Sequence, residues 1–495
     1  MPTLMVQAHY DKLILALILL LGALARLAPL GLQRFHEDEA LYSSWGLRIA
    51  GGDTLLTEVP VDKPPLSFYL QAGGLALLGV SETSARLPSL VASVTSIWLL
   101  YLLAQRLYGQ PTALVASALL AASPFAISFA PTAFLDAVMG MWVLAACVAT
   151  AFGHWSWSGA LLGLAGTTKW EGVIFLPLVG ALGICTHSKH ISSVPRKLLR
   201  AVASLLAIAA LVGLWDLARP QPSILGQLQR NYRGLALAQP EILGERFFGW
   251  KSLMRYVFYH PWLNVIFLAG LPLLLLIDVR DLARAPTRDK ASLLVDPLLV
   301  TSLAFFLATL ILLRLPIWDR YLLGLVPFGC LLLARVLWLP RRFLPRSSKA
   351  HLALSILVIA LLLFTLPLPM RDAASGRFSI AGDHGTYQGI KQVVAYFRGQ
   401  VMGGAILYHR WLGYHYRFYM YRFPYAFRWW RMPEELAQDA AAASDVERWI
   451  VFPSWQEEGP ARRALAARGL RLITRHQVYR DDGSLSFTIY QIEEP

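Results

Sequence analysis

Apolar residues in this chain come in long runs, separated by short polar stretches. A membrane-crossing helix needs about 20 mostly apolar residues. Leu13–Leu30 meets that length, and further runs follow at Leu87–Leu103, Ala113–Phe129, Ala133–Phe152, Ser158–Thr167, Val173–Ile184, Ala201–Trp215, Pro261–Ile277, Leu293–Leu313, Tyr321–Leu339 and Leu352–Leu368. The pattern predicts about eleven spans. The fifth and sixth runs are short enough to be tilted, broken or merged, which widens the range to roughly ten to thirteen. After Pro369 the pattern changes. Ala405–Tyr408, Trp449–Phe452, Leu470–Tyr479 and Ser484–Ile492 read as strands, with a hairpin signal at Asp482-Gly483. Thr386–Phe397, Pro433–Ala443 and Pro460–Ala467 read as helices. The expected organisation is a membrane domain over 1–369 and a small α/β domain over 370–495.

Composition agrees with the runs. The 495 residues are 56% hydrophobic and 15% charged, whereas a soluble domain carries roughly 25% charged residues. The three cysteines, Cys147, Cys185 and Cys330, all sit in apolar runs, so no disulfide framework is implied. The first apolar run is too long for a cleavable signal and lacks a small-residue cleavage site. The formal charge of +14 raises a nucleic-acid partner. Its basic residues are scattered through short loops between the runs, which favours membrane orientation instead. With the N-terminus cytoplasmic and eleven spans, three four-residue basic clusters fall on the cytoplasmic side. They are Lys189, Arg196, Lys197 and Arg200; Arg280, Arg284, Arg288 and Lys290; and Arg341, Arg342, Arg346 and Lys349. The first loop, the loop from Ala218 to His260 and the tail then lie outside.

Five polar positions at the outer edges of the runs are chemical candidates. His36-Glu37-Asp38-Glu39 follows the first span, and a carboxylate there can take a proton from an acceptor hydroxyl or amine. The plain reading is a solvated charge cluster or a helix cap. Asp62-Lys63-Pro64-Pro65 fixes an ammonium at the start of a helix, where it suits a phosphate, though a lysine at that depth also simply snorkels. Asp136 is an acid in a long apolar stretch, functional or a cap. Lys169-Trp170-Glu171 is either part of a site or a surface ion pair of little worth. Arg320, beside Trp318 and Tyr321, is a phosphate clamp or a membrane-edge anchor. In the eleven-span arrangement Asp38, Lys63, Asp136, Lys169 and Arg320 share one face of the membrane. Acids plus several cations suit a reaction that activates an acceptor and stabilises a departing phosphate.

The ordered series Asp38-Glu39-Ala40, Lys63-Pro64-Pro65-Leu66, Asp136, Lys169 and Arg320-Tyr321 resembles the GT-C superfamily over roughly the first 340 residues. The likeness is to its protein O-mannosyltransferase and aminoarabinose-transferase branch. The resemblance implies an inverting glycosyltransferase with a polyprenyl-phosphate-linked sugar as donor and no nucleotide-sugar site. By it Asp38, Glu39 and Asp136 take the catalytic positions, with Asp38 as base, and Lys63, Lys169 and Arg320 bind the donor phosphate. The acceptor is a protein, lipid or glycan. The residues name no cofactor; a divalent metal at His36, Asp38 and Asp136 stays open, one His with scattered acids being a weak ligand set. A secondary transporter is the alternative, since ionisable groups in apolar segments are its usual mark. No paired broken helices in two halves support it. A receptor that merely anchors the tail would not need eleven spans. The Ala218–His260 loop, with Arg230, Arg233, Arg246, Lys251 and several aromatics, is expected to be a gate that closes over donor.

Overall fold

A computed structural model describes residues 2–187, 194–232, 236–284, 293–345, 348–400 and 403–494. The basic residues Lys189, Arg288, Lys290 and Arg346, and Arg233 of the expected gate, lie outside the described residues. The chain forms two compact units. The first comprises Met1–Leu30, Ile49–Gly79 and Thr83–Ala381; the second comprises Gly31–Arg48, Val80–Glu82 and Gly382–Pro495.

The first unit is helical. It contains α1 (Pro2–Leu27), α3 (Leu66–Leu78), most of α4 (Glu82–Tyr108), α5 (Gln110–Ala122), α6 (Pro124–Phe129), α7 (Asp136–Ala151), α8 (Trp155–Thr168), α9 (Leu176–His187), α10 (Val194–Leu217), α11 (Ile224–Tyr232), α12 (Leu243–Met254) and α13 (Pro261–Arg284), while α2 (Glu37–Ala50) begins in the second unit. Long helices follow at Val295–Leu312, Val326–Leu337 and Ser348–Thr365. Among the described residues seven helical stretches are long and apolar enough to cross a membrane, and α3, α5 and α7 are shorter apolar helices. Exposed leucines cover α10, among them Leu206, Leu211 and Leu214. Apolar surface on that scale belongs against lipid.

Two of the expected runs are shaped by local chemistry. Ala113–Phe129 breaks at Ser123-Pro124 into α5 and α6, because proline cannot continue the hydrogen-bond ladder. The carbonyls freed at the end of α5 are taken by the fully buried Arg26, which donates to Leu120 O (2.9 Å) and Ala121 O (2.8 Å). In hydrocarbon those groups would otherwise go unsatisfied. The run Ser158–Thr167 lies in α8, which packs its glycines on α10: a Cβ on Gly159 would collide with the Ala201 carbonyl.

Ion pairs mark one end of the bundle. Arg335 grips Asp296 through Nη2 (2.7 Å), Tyr108 donates to Asp296 (2.5 Å), and Arg342 reaches Asp278 (2.8 Å). The end of α13, the start of Val295–Leu312 and the end of Val326–Leu337 therefore meet there, and Arg342 of the third basic cluster lies with them.

The second unit carries a five-stranded sheet in the order β2-β1-β3-β5-β4. Its strands are β1 (Ile406–His409), β2 (Ala426–Trp429), β3 (Arg448–Pro453), β4 (Arg471–Tyr479) and β5 (Leu485–Glu493). β1 is parallel to β2 and β3, whereas β5 is antiparallel to β3 and β4. The β4–β5 hairpin turns at Asp482-Gly483, where Gly483 takes φ 81°. Alternate residues feed two cores: Leu407, Trp449 and Ile489 pack with Phe397 and Tyr416, and Ile406, Tyr408 and Ile450 pack with Leu436 and Leu465. Burial on both faces is what a parallel centre requires.

Candidate functional site

In the first unit three of the expected residues converge. Asp136 is the first residue of α7, and its burial is matched by a salt bridge from Lys169 Nζ to Oδ1 at 2.7 Å. Lys169 ends α8 in extended backbone, which turns its side chain away from the helix. It also reaches Glu171 Oε1 (3.2 Å) and lies 4.4 Å over the Tyr321 ring. Arg320, also buried, stacks at 4.8 Å on both Phe134 and Trp318. The backbone around this cluster is clamped: Gln71 donates to Ala133 O (2.9 Å), Ser89 to Phe134 O (3.0 Å), and Asp319 accepts from the amides of Arg320 and Ala381 (both 2.8 Å). Arg320 starts the segment Asp319–Leu337 that Arg335 ends. The cluster therefore sits roughly 22 Å along the bundle from the basic end, at about 1.5 Å per helical residue.

Lys63 precedes α3, which starts immediately after Pro65. Its ammonium pairs with Asp62 (2.9 Å), and the same carboxylate oxygen accepts from Asn231 (2.8 Å). Trp170, next to Lys169, donates to the Asp62 carbonyl (3.4 Å), so the Lys63 turn and the Lys169 turn are neighbours. A phosphate arriving there would meet ammonium groups already oriented by carboxylates, and would compete with Asp62 for Lys63.

The expected gate is built differently. Between Ala218 and His260 the chain forms α11, α12 and short 3-10 turns. Arg246 is buried and donates to Leu310 O (2.6 Å) and Ile311 O (2.9 Å), and Trp250 donates to Leu310 O (3.2 Å). These two side chains satisfy the end of the helix Val295–Leu312. Phe247 and Phe248 remain exposed.

In the second unit His36-Glu37-Asp38-Glu39 forms a capping box at the start of α2. The His36 Nδ1 accepts from the Asp38 amide (3.2 Å), and Glu39 Oε2 accepts from the His36 amide (3.0 Å). Glu39, expected at a catalytic position, is wholly buried in this cap. Three acids in the first turn also suit the positive end of the helix. Burial, reinforced by the neighbouring charge of Asp38, pushes the Glu37 carboxyl up to about 7. Burial likewise raises Asp383 and Tyr387 and holds His415 down at about 4. Asp383, Tyr387 and His415 belong to the same unit and escaped the sequence reading, having no spacing signal. Among the described residues no group of three or more His, Cys, Asp or Glu is gathered as a metal site, so the open reading of a divalent metal finds no ligand set.

This is a multi-span membrane protein with the fold of the GT-C superfamily. Its residues 62–215, the stretch holding Lys63, Asp136 and Lys169, match the family described as dolichyl-phosphate-mannose-protein mannosyltransferase. It is 32% identical over 170 residues to the undecaprenyl phosphate-alpha-4-amino-4-deoxy-L-arabinose arabinosyl transferase 1 of Pseudomonas fluorescens (strain Pf0-1). That match covers 32% of this chain and 29% of the relative. The crystal structure of ArnT from Cupriavidus metallidurans bound to undecaprenyl phosphate superposes with TM-score 0.62 at 14% identity, covering 98% of each chain. The oligosaccharyltransferase AglB of Archaeoglobus fulgidus, in complex with an inhibitory peptide and a dolichol-phosphate, gives TM-score 0.54 at 13% identity over 97% of this chain and 74% of that one.

Proposed function

We propose that this protein is an inverting membrane glycosyltransferase that moves a sugar from a polyprenyl-phosphate carrier to a protein, lipid or glycan acceptor on the non-cytoplasmic face. In this reading residues 1–369 hold the transferase and 370–495 an extracytoplasmic domain. The observation that carries it is the coincidence of the matched family segment with the buried cluster of Asp136, Lys169 and the neighbouring Lys63 turn. Asp38 accepts the proton of the acceptor O–H or N–H as that atom bonds to the anomeric carbon. The bond from that carbon to the phosphate oxygen breaks, and the carrier phosphate leaves with the electron pair. Lys63, Lys169 and Arg320 balance the charge it gains. Asp136 holds the Lys169 ammonium in place. A phosphate is a competent leaving group, so no strong acid is needed.

The test is release of undecaprenyl phosphate from carrier-linked mannose, glucose or 4-amino-4-deoxy-arabinose by the full-length protein in lipid nanodiscs. Asp38→Asn should cut the rate by about 10²–10⁴, the worth of a general base. Lys63→Ala should raise the donor concentration needed for half-maximal rate more than it affects the acceptor. A rate for Asp38→Asn within about tenfold of the unaltered protein removes the base role, and transport of an unmodified sugar lipid without bond cleavage removes the transferase reading.

A further inference from the structure

The two residues that lead into His36, Arg34 and Phe35, are bolted down by the C-terminal part of the chain. The Arg34 amide donates to Asp383 Oδ1 (3.1 Å), and the other oxygen of that buried carboxylate accepts from the Tyr387 amide (2.9 Å). The Arg34 guanidinium pairs with Glu82 (2.7 Å), which also holds Lys391 (3.0 Å) and the Tyr419 hydroxyl. The Phe35 carbonyl accepts from His415 Nε2 at 2.9 Å. His415 is fully buried and its Nδ1 has no partner among the described residues; a carbonyl can only accept, so the proton sits on Nε2. The Phe35 ring is fully buried, edge-on to Phe418 at 4.9 Å.

These bolts act one residue upstream of the cap. Arg34 and Phe35 fix the backbone that enters His36. His36 in turn receives the Asp38 amide and gives its own amide to Glu39. We infer that Asp383 and His415 are positioning residues for Asp38: the C-terminal domain sets the angle at which the first turn of α2 presents its carboxylate. This rests on the reading of Asp38 as base, and it gives the domain a role in the transfer step itself. A reacting group misplaced by about 1 Å can lose on the order of 10² in rate, so removal of a bolt reads out in turnover.

The experiment uses the full-length protein in nanodiscs with the three carrier-linked sugars named above, together with hydrogen exchange of peptides spanning residues 34–40. His415→Phe keeps a buried ring and removes the donor, while His415→Gln returns an N–H at similar reach. His415→Phe should speed exchange over 34–40 with β1, β3 and β5 unchanged. Its kcat should fall at least about tenfold while the donor KM stays within about twofold. His415→Gln should recover both. Unchanged exchange over 34–40, or a kcat equal to that of the unaltered protein, overturns the inference. If His415→Phe does not fold, Asp383→Asn is judged by the same two readouts. Asp38→Asn separates the failures: if it is inactive while the His415 and Asp383 variants are fully active, only the positioning role falls, and if it is active the base reading falls and takes this inference with it.

Discussion

At the scale of single residues, the buried pair of Asp136 and Lys169 behaves differently from the surface ion pairs it resembles in sequence. Removing one partner of a buried pair strands the other charge, at a cost of about 3–5 kcal/mol, whereas replacing both with apolar groups is often neutral. Asp136→Leu and Lys169→Met should therefore each lower thermal stability strongly, and the double variant should be more stable than either. Additive losses in thermal unfolding would show that the pair is not coupled. Glu37 makes a pH prediction. Its folded-state value, near 7, stands above the ordinary 4.5, so the fold favours the protonated carboxyl. The resulting contribution to stability is complete below about 4.5 and is lost as pH rises through about 7. Glu37→Gln, fixed in the neutral form, should gain more over the unaltered protein at pH 8 than at pH 5. An equal difference in melting temperature at the two pH values would show that the burial of Glu37 carries no penalty.

At the scale of elements, glycine governs the α8–α10 contact. Gly159→Leu would drive a side chain into the Ala201 backbone, which cannot yield as a side-chain tip can. The folded fraction recovered in detergent should drop severalfold, with overpacking costing about 1–3 kcal/mol or more. Recovery equal to that of the unaltered protein would mean that the two helices separate freely. The same contact shows what the sequence could and could not tell. A run of ten apolar residues at Ser158–Thr167 was visible, but that small residues made it a close-packed partner of α10 was not. The strands β1, β3, β4 and β5 were legible from β-branched and aromatic alternation between turn signals. Strand β2 and the helix Gly413–Tyr419 were not, since Arg410 to Arg431 mixes arginine with aromatics and each element is too short for a period to emerge. Lys63, Asp136, Lys169 and Arg320 stood out as rare charges beside apolar runs. The fates of Arg246 and Trp250 were hidden because their partners are carbonyls some 60 residues away, and carbonyls leave no mark in a sequence.

At the scale of the whole molecule, the proposal depends on which side of the membrane each end of the helical bundle faces. In the eleven-span arrangement the lysine and arginine clusters stay with the cytoplasm and the tail lies outside. A cysteine introduced at the exposed Ser454 should therefore react with a membrane-impermeant thiol reagent in intact cells, with the protein carrying only Cys147, Cys185 and Cys330 as the background. Labelling only after permeabilisation would reverse the topology and remove the proposed acceptor side. The second unit is drawn from three stretches of chain, and the amide of Arg34 finds its carboxylate 349 positions later. During synthesis the acidic turn emerges early, when nearly the whole membrane bundle and its partners Asp383, His415 and Phe418 are still untranslated. It must wait, unfinished, until the chain through Phe418 leaves the ribosome. A ribosome that stalls after the final span would leave an acidic turn without Asp383 and His415, and on the proposed reading such half-made copies would not spend a lipid-linked sugar.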